Sequence, residues 1–303
     1  MISEQKIWGR SDSGVLVPVG RVSDTSSRSR SNYSQIRHKA REIEKIYLEA
    51  GIRLPTNSEL GLMVQNTEEL WEKWFLGNRE NVSYKVFFLG MHLDRIGDAV
   101  IPLRDLLSKT DLKRLLSGSL NFFSREKSNA KDAFWELEVC SKLRNRKADA
   151  SLREPPDVVV EYETSRIGIA CKKLYSEGHV QNVLSQAVKQ IEKEFDFGIV
   201  AINLDDLLPE DVVLKRGSSE AVSKRLLEIN ERFLRVHERH FRKYLSKGRL
   251  ISAIVSTSMI ADVLTERPQF RNTYQWTIWT IPGLDSKYSA QVEKFYQTVM
   301  GGR

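Results

Sequence analysis

Three short apolar runs and the spacing between them constrain the fold of this chain more than any other feature. The runs cover 157–162, 167–174 and 197–203. Only 163–166 separate the first run from the second, so these two predict an antiparallel hairpin. An amphipathic helix over 179–195 separates the second run from the third, and a helix over 132–144 precedes the first. The order α-β-β-α-β predicts an α/β (α+β) fold, in which helices flank a mixed β-sheet.

Composition divides the chain into three parts. Residues 1–33 lack a hydrophobic period and contain a Ser/Arg-rich stretch, so we expect a mobile segment there. Residues 34–130 predict a helical accessory region. Residues 131–303 are expected to form the domain that contains the sheet. Its further predicted elements are a helix over 222–247 and strands over 250–256 and 274–281.

The helical accessory region contains four predicted helices. They are placed at 34–50, after 66–67, at 85–96 and at 102–116. Ser34 is the expected N-cap of the first helix, because a serine oxygen can accept a hydrogen bond from an unpaired N–H group in the first turn. Leu48 is expected on the apolar side of the same helix.

Composition and charge exclude several classes of protein. No run of about 18 apolar residues occurs, so we expect no membrane span, and the polar start has no secretory core. The two cysteines, Cys140 and Cys171, are too few for a disulfide scaffold or a cysteine zinc site. We therefore expect a soluble, cytoplasmic protein. The formal net charge of +7 favours an anionic partner, of which nucleic acid is the commonest.

Two glutamates lie close together on the helix over 132–144. On a helical wheel, Glu136 falls within the apolar arc that contains Val139 and Leu143. A carboxylate that faces a core is costly unless it meets a metal, a cation or hydrogen-bond donors. We therefore expect Glu136 to have a buried partner, and Glu138, on the opposite side, to need none.

An aspartate and a lysine stand at corresponding ends of the predicted hairpin. Asp157 follows Pro155-Pro156 and begins the first apolar run, where its carboxylate can turn into a cleft. Alternation along the second run places Ala170 and Lys172 on one face and Lys173 on the other. Hairpin pairing brings the end of this run level with Asp157. We therefore expect the side chains of Asp157 and Lys172 in one cleft.

The order of these residues resembles the PD-(D/E)XK nuclease superfamily, which has a restriction-endonuclease-like fold. In that family a helix glutamate precedes a Pro-Asp pair, and a later strand carries an acid, any residue and a lysine. In this chain Glu136 matches the helix acid, Pro156-Asp157 match the pair, and Lys172 matches the lysine. Gln190 resembles a polar residue that some members carry on the next helix. The resemblance covers about 131–205, and its motifs are short.

The resemblance implies metal-dependent hydrolysis of phosphodiester bonds in nucleic acid, and we expect a DNA endonuclease. Glu136 and Asp157 would hold Mg²⁺ or Mn²⁺, which polarises the scissile phosphate and lowers the pKa of a bound water. Lys172 would stabilise the developing negative charge or orient the attacking water. Gln190 would position water or phosphate.

The chain departs from the family at Ala170, two residues before Lys172, where most members have Asp or Glu. An alanine side chain cannot bind a metal, and three interpretations stay open. In the first, Glu136 and Asp157 hold the cation together with the backbone carbonyl of Cys171. In the second, the site is inactive and the fold only binds nucleic acid. In the third, a displaced acid substitutes, with three candidates: Glu161, Glu163 and Glu177.

The predicted helix over 222–247 and its end carry most of the basic excess. Between 222 and 249, nine Lys and Arg stand against three Glu, a local balance of +6. Such a surface can follow a phosphate backbone and would bind it in a salt-sensitive way, whereas the alternative is an ordinary solvated face. We expect this helix to flank the cleft. The residues predicted to bind nucleic acid are Arg232, Arg235, Arg239, Arg242 and Lys243.

Two alternatives to the nuclease hypothesis remain open. The first is a catalytically inactive protein of the same fold that binds nucleic acid or a protein partner. The second is a purely structural α/β scaffold. A homodimer is the other assembly that we consider, and the sequence does not decide for or against it.

Overall fold

The computed structural model describes residues 9–10, 16–17, 32–76, 84–266 and 269–300. Within the predicted mobile segment, two short antiparallel strands are described, β1 (Gly9–Arg10) and β2 (Leu16–Val17). The Ser/Arg-rich residues 23–31 lie outside the described residues.

The described part of the chain contains eight α-helices. They are α1 (Tyr33–Glu49), α2 (Glu59–Phe75), α3 (Tyr84–Val100), α4 (Lys109–Arg114), α5 (Asn129–Asn145), α6 (Val180–Ile191), α7 (Ser219–Leu245) and α8 (Ser286–Met300). None of them combines the length with the apolar composition that crossing a bilayer requires.

Seven further strands form one mixed sheet. They are β3 (Asp149–Arg153), β4 (Asp157–Tyr162), β5 (Ser165–Lys173), β6 (Phe197–Asn203), β7 (Leu214–Arg216), β8 (Ser252–Val263) and β9 (Phe270–Trp279). The strand order is β3-β4-β5-β6-β8-β7, and β9 pairs with β8 along its other edge. The predicted mixed sheet flanked by helices is thereby confirmed.

Strand pairing changes from antiparallel to parallel at β5, next to the predicted site. β3, β4 and β5 pair antiparallel, whereas β5, β6 and β8 run parallel. The β4–β5 ladder begins with Val158 opposite Ile169. Consequently the start of β4 lies beside the carboxyl end of β5, as the hairpin predicted.

Two hydrophobic clusters cover the two faces of this sheet. On one face, side chains of α1, α2, α3, α5 and α8 pack with alternate residues of the strands, including Ile169 and Cys171. On the other face, α6 and α7 pack with the intervening residues, including Ala170. The helices of 34–130 therefore share a core with the sheet, because their apolar stripes contact α5 and the strands.

Several local predictions in the helical region are wrong. Asn32, not Ser34, caps α1: its side chain accepts from the Gln35 N–H, and the Gln35 side chain accepts from the Asn32 N–H. Leu48 is 75% exposed, because it lies outside the stripe that faces the core. α2 begins at Glu59, before the predicted start. The predicted helix over 102–116 is a 3₁₀ turn at Ile101–Leu103 followed by the short helix α4.

Candidate active site

Asp157 begins β4 and points its carboxylate at the backbone of β5. Its Oδ2 accepts a hydrogen bond of 2.7 Å from the Cys171 N–H. The backbone at Asp157 has a φ of 153°, a region that side-chain-bearing residues rarely adopt. Such strained positions occur often where a side chain must be aimed at a functional site. Asp157 is therefore a buried carboxylate with an imposed orientation.

Gly168 on β5 lies directly against the segment that precedes Asp157. A Cβ at this position would lie 3.1 Å from the Pro156 ring and 2.9 Å from the Phe195 ring. Both distances are shorter than ordinary contacts between carbon atoms. The glycine thus allows the Pro155-Pro156 segment to pack closely over the strand.

Lys172 and Gln190 reach Asp157 from two other elements. The Lys172 ammonium lies 3.4 Å from Oδ2 of Asp157, and Lys172 is partly buried near the end of β5. The Gln190 amide, on α6, donates to Oδ1 at 2.7 Å and also donates to the Pro156 carbonyl. The structure therefore brings together three of the four predicted catalytic residues in direct contact.

Burial raises the pKa of Asp157 above its ordinary value. The Lys172 charge, the Cys171 N–H and the Gln190 amide act in the opposite direction but do not fully offset the loss of hydration. Burial alone favours the neutral form of Asp157, and the three donors stabilise its charged form. A cation placed against Asp157 would favour its charged form and lower its pKa.

Glu136, the fourth predicted residue, lies on α5, close enough for the charge of Asp157 to act on its pKa. Burial raises its pKa to about 7, and the negative charges of Asp157 and Glu154 contribute to the rise, while Arg114 opposes it. Arg114, at the end of α4, donates two hydrogen bonds of 2.7 and 2.6 Å to the two oxygens of Glu136. Glu136 therefore does have a charged partner, as expected, but the Arg114 side chain is partly exposed rather than buried.

The expectation for Glu138 is wrong. Its carboxylate is buried, accepts two hydrogen bonds from Arg95 on α3 and lies 3.1 Å from Lys142. The Arg95 charge is the largest effect that opposes burial, and the pKa of Glu138 is lowered to about 2. The helical wheel identifies one apolar arc on α5, and it predicts that the residues opposite this arc face solvent. Because α3 packs on another side, α5 is buried almost all round.

Lys173 points to the opposite face of β5 from Lys172. Its ammonium is 2.7 Å from Asp206 and donates to the Asn203 side chain at 2.8 Å. Lys131 on α5 also contacts Asp206, at 3.0 Å. Lys173 therefore belongs to a separate buried network on the other face of β5.

The position at which the family carries its second acid, residue 170, is buried among apolar side chains in this chain. Ala170 is fully buried and packs in the cluster under α6. Of the displaced acids considered, Glu161 lies opposite Arg166 in the β4–β5 ladder, and Glu163 is exposed in the turn. Glu177 lies 3.3 Å from His237. The structure does not bring these three into contact with Asp157.

The oxygen donors of the site match the chemistry of Mg²⁺ or Mn²⁺. Asp157 and Glu136 offer carboxylates. The Cys171 N–H meets Asp157, and because the N–H and C=O of one strand residue share a side, we expect the Cys171 carbonyl on that side of β5 as well. No group of three or more His, Cys, Asp or Glu side chains that could hold a metal is assembled within the described ranges. Two carboxylates, a backbone carbonyl and water molecules are still an acceptable set for one hard cation.

The basic residues of α7 lie away from its buried side. Phe233, Leu234 and Phe241 pack against the sheet, while Arg242 is paired with Glu238 at 2.5 Å. His237 on α7 contacts Glu177 in the connection after β5. This contact places the middle of α7 beside the segment that follows Lys172 and Lys173. The predicted residues that are exposed are Arg232, Arg235, Arg239 and Lys243.

Sequence reasoning missed two residues of the site. Arg114 lies in the helical region, far from the motif in sequence, and no local pattern marks it. Glu154 directly precedes Pro155-Pro156, and its Oε2 is 3.9 Å from the Arg114 guanidinium. Its position before the Pro-Asp pair was a signal that could have identified it.

No protein-family model matches the chain, and neither a curated protein nor a solved structure matches it.

Proposed function

We propose that this chain is a metal-dependent phosphodiesterase of the PD-(D/E)XK type that cleaves nucleic acid, with DNA as the expected substrate. The observation that carries the proposal is the contact of Asp157 with both Lys172 and Gln190. The three residues come from β4, β5 and α6. Glu136 on α5 lies near enough for the Asp157 charge to raise its pKa.

Convergence of these residues argues for a shared role. A buried carboxylate is costly, and a structural ion pair would need neither a second acid nor a strained backbone beside it. Lys172 and Lys173 are adjacent, yet only Lys172 faces Asp157. A cluster of perturbed acids with a lysine and an amide at the end of a strand is typical of a site that binds a charged substrate.

A divalent cation would be held by Asp157, Glu136 and the Cys171 carbonyl, and would supply a polarised phosphate and a water of lowered pKa. Lys172 supplies a positive charge that can stabilise the phosphorane oxygens. Gln190 fixes the rotamer of Asp157 through its amide, and it also anchors the Pro156 carbonyl. The burial of Asp157 strengthens each of these electrostatic interactions.

The exposed cations of α7 support nucleic acid as the substrate. Arg232, Arg239 and Lys243 recur along one helix, on the side away from the sheet. Cations spaced along a helix can contact successive phosphates and release their counterions. The contact between His237 and Glu177 favours a position of this surface beside the cleft.

A second function is favoured by one specific observation. Ala170 is buried where the related family carries an acid, so a protein of this fold that binds nucleic acid without cleaving it is the alternative. In such a protein Lys172 and the α7 cations would contact phosphate, and Asp157 would only hold Lys172 in place.

A plasmid-nicking assay distinguishes these functions. The wild-type chain is incubated with supercoiled DNA and Mg²⁺ or Mn²⁺, and Asp157→Ala is compared with Asp149→Ala, which removes an exposed aspartate of β3. We expect metal-dependent nicking that Asp157→Ala abolishes and Asp149→Ala retains. Salt-sensitive binding without nicking under either metal would overturn the enzyme in favour of the inactive binder. Absence of both would leave a structural scaffold.

A further inference from the structure

We propose that Arg114 is the resident counter-cation of the site and sets its affinity for divalent metal by occupying Glu136. This inference rests on the proposed metal-dependent function. It assigns a positioning role to a residue of the helical region, which would then be part of the site.

The geometry places Arg114 where it competes with a metal. Its two terminal nitrogens, Nη1 and Nη2, each donate to a different oxygen of Glu136. A bidentate pair of this kind engages both carboxylate oxygens at once and is among the stronger charge-assisted contacts. A metal that takes an oxygen of Glu136 must therefore displace at least one of these bonds.

Arg114 also bridges Glu136 to a second acid. Its Nη1 lies 3.9 Å from Glu154, which directly precedes the Pro155-Pro156 segment. Within the described residues, Arg114 is the one cation at ion-pair distance from Glu136. The guanidinium thus places one positive charge between two carboxylates, a position that an added divalent cation would compete for.

The surroundings of Arg114 allow it to leave. Its side chain is 32% exposed, whereas that of Glu136 is 13% exposed. A partly exposed guanidinium on a short helix can move into solvent or onto a substrate phosphate without disturbing the core, since its planar donors suit phosphate as well as carboxylate. Release of Arg114 would leave Glu136 as a free ligand.

The alternative is that Arg114 only ties α4 to α5. The two roles differ in their effect on metal binding. A structural tie predicts that loss of Arg114 disorders Glu136 and weakens metal binding. A competing counter-cation predicts the opposite, because the carboxylates lose their resident partner and gain affinity for an added cation.

The test is direct binding of Mn²⁺ to the full chain without DNA, measured as loss of the electron paramagnetic resonance signal of the free ion. Arg114→Gln is compared with wild type and with Arg104→Gln. Arg104 is a matched control, because it makes ion pairs with Glu42 and Glu49 in the same helical region. Binding that is lost in Asp157→Ala is assigned to the site, and binding that this variant retains is assigned to other parts of the chain. Arg114→Lys, which keeps a charge but loses the bidentate geometry, serves if Arg114→Gln does not fold.

We expect Arg114→Gln to bind Mn²⁺ about tenfold more tightly than wild type, Arg114→Lys to lie between the two, and Arg104→Gln to match wild type. Binding to Arg114→Gln that is unchanged or weaker, with wild-type binding that still depends on Asp157, would overturn the role of Arg114 and leave the proposed function standing. If neither wild type nor Arg114→Gln binds Mn²⁺ in an Asp157-dependent way, the metal-dependent function itself fails.

Discussion

Gln190 donates a hydrogen bond of 2.7 Å to Oδ1 of Asp157, although 33 residues separate them in sequence. The other oxygen, Oδ2, accepts from the Cys171 N–H. The carboxylate is thus held from two sides, by α6 and by β5. This arrangement fixes the orientation of the Asp157 carboxylate, which the proposed function assigns as a metal ligand.

Gln190→Ala should lower the rate of metal-dependent nicking by about 10- to 100-fold, which is the usual effect of removing a residue that orients a metal ligand. The physical reason is that Asp157 loses the donor on Oδ1. Lys189→Ala is the matched control, because Lys189 is exposed on the next position of α6. Equal rates for Gln190→Ala and wild type, measured on supercoiled plasmid, would show that the amide has no role in holding Asp157.

Ala170→Asp should destabilise the protein by about 2–5 kcal/mol in EDTA, because it buries a carboxylate in an apolar cluster. Ala170→Gly adds no charge and should cost about 1 kcal/mol. Urea denaturation at pH 8 measures both free energies of unfolding. An Ala170→Asp protein as stable as Ala170→Gly would contradict the closed environment of this position.

His92 should make the wild-type protein lose stability in mild acid. Burial, and to a smaller extent the charges of Arg95 and Lys131, lower the pKa of His92 to about 3. The unfolded chain takes up a proton below about pH 6.5, and the folded chain does not until about pH 3, so the free energy of unfolding falls as the pH falls between these values.

From pH 6.5 to 4.5 the stability of wild type should drop by about 2 kcal/mol relative to His92→Phe, which has no proton to take up. Urea denaturation of the two proteins at both pH values measures this difference. The comparison cancels the other groups that titrate in the same range. The same pH dependence in both proteins would show that His92 is not a buried neutral group.

Arg232→Ala and Arg239→Ala should each reduce the salt dependence of DNA binding. Loss of one phosphate contact lowers the slope of log affinity against log salt by about 0.9. Fluorescence anisotropy of labelled DNA between about 50 and 200 mM salt measures the slope. Lys45→Ala on α1 is the control. If the two α7 variants keep the wild-type slope, the basic surface of α7 does not contact nucleic acid.

The sheet and its flanking helices could be predicted because their signals are local. The strand spans at 157–162 and 197–203 agree with the structure, since short apolar runs bounded by polar or proline residues are strong strand signals. β3 and β7 were not predicted, because each is short and has few buried residues. α8 was also missed.

The site could be predicted only in part. Asp157 and Lys172 follow from the order of elements and the alternation along β5, whereas Gln190 was expected only from the resemblance to the nuclease superfamily. Arg114 and the burial of Glu138 depend on how α3 and α4 pack against α5, which is a tertiary contact without a sequence pattern. Glu154 was adjacent to the motif and could have been included.

The most direct test of the account is a double-mutant cycle on plasmid nicking. Initial rates with Mn²⁺ are measured for wild type, Asp157→Ala, Lys172→Ala and the double variant, with folding checked by circular dichroism. Substitutions of residues that act as one catalytic unit have strongly non-additive effects on rate. The nicking rate of each single variant should therefore fall about 10³-fold or more, and that of the double variant should fall no further than that of either single variant. Nicking that stays at the wild-type rate in all three variants would contradict a catalytic centre at Asp157 and Lys172.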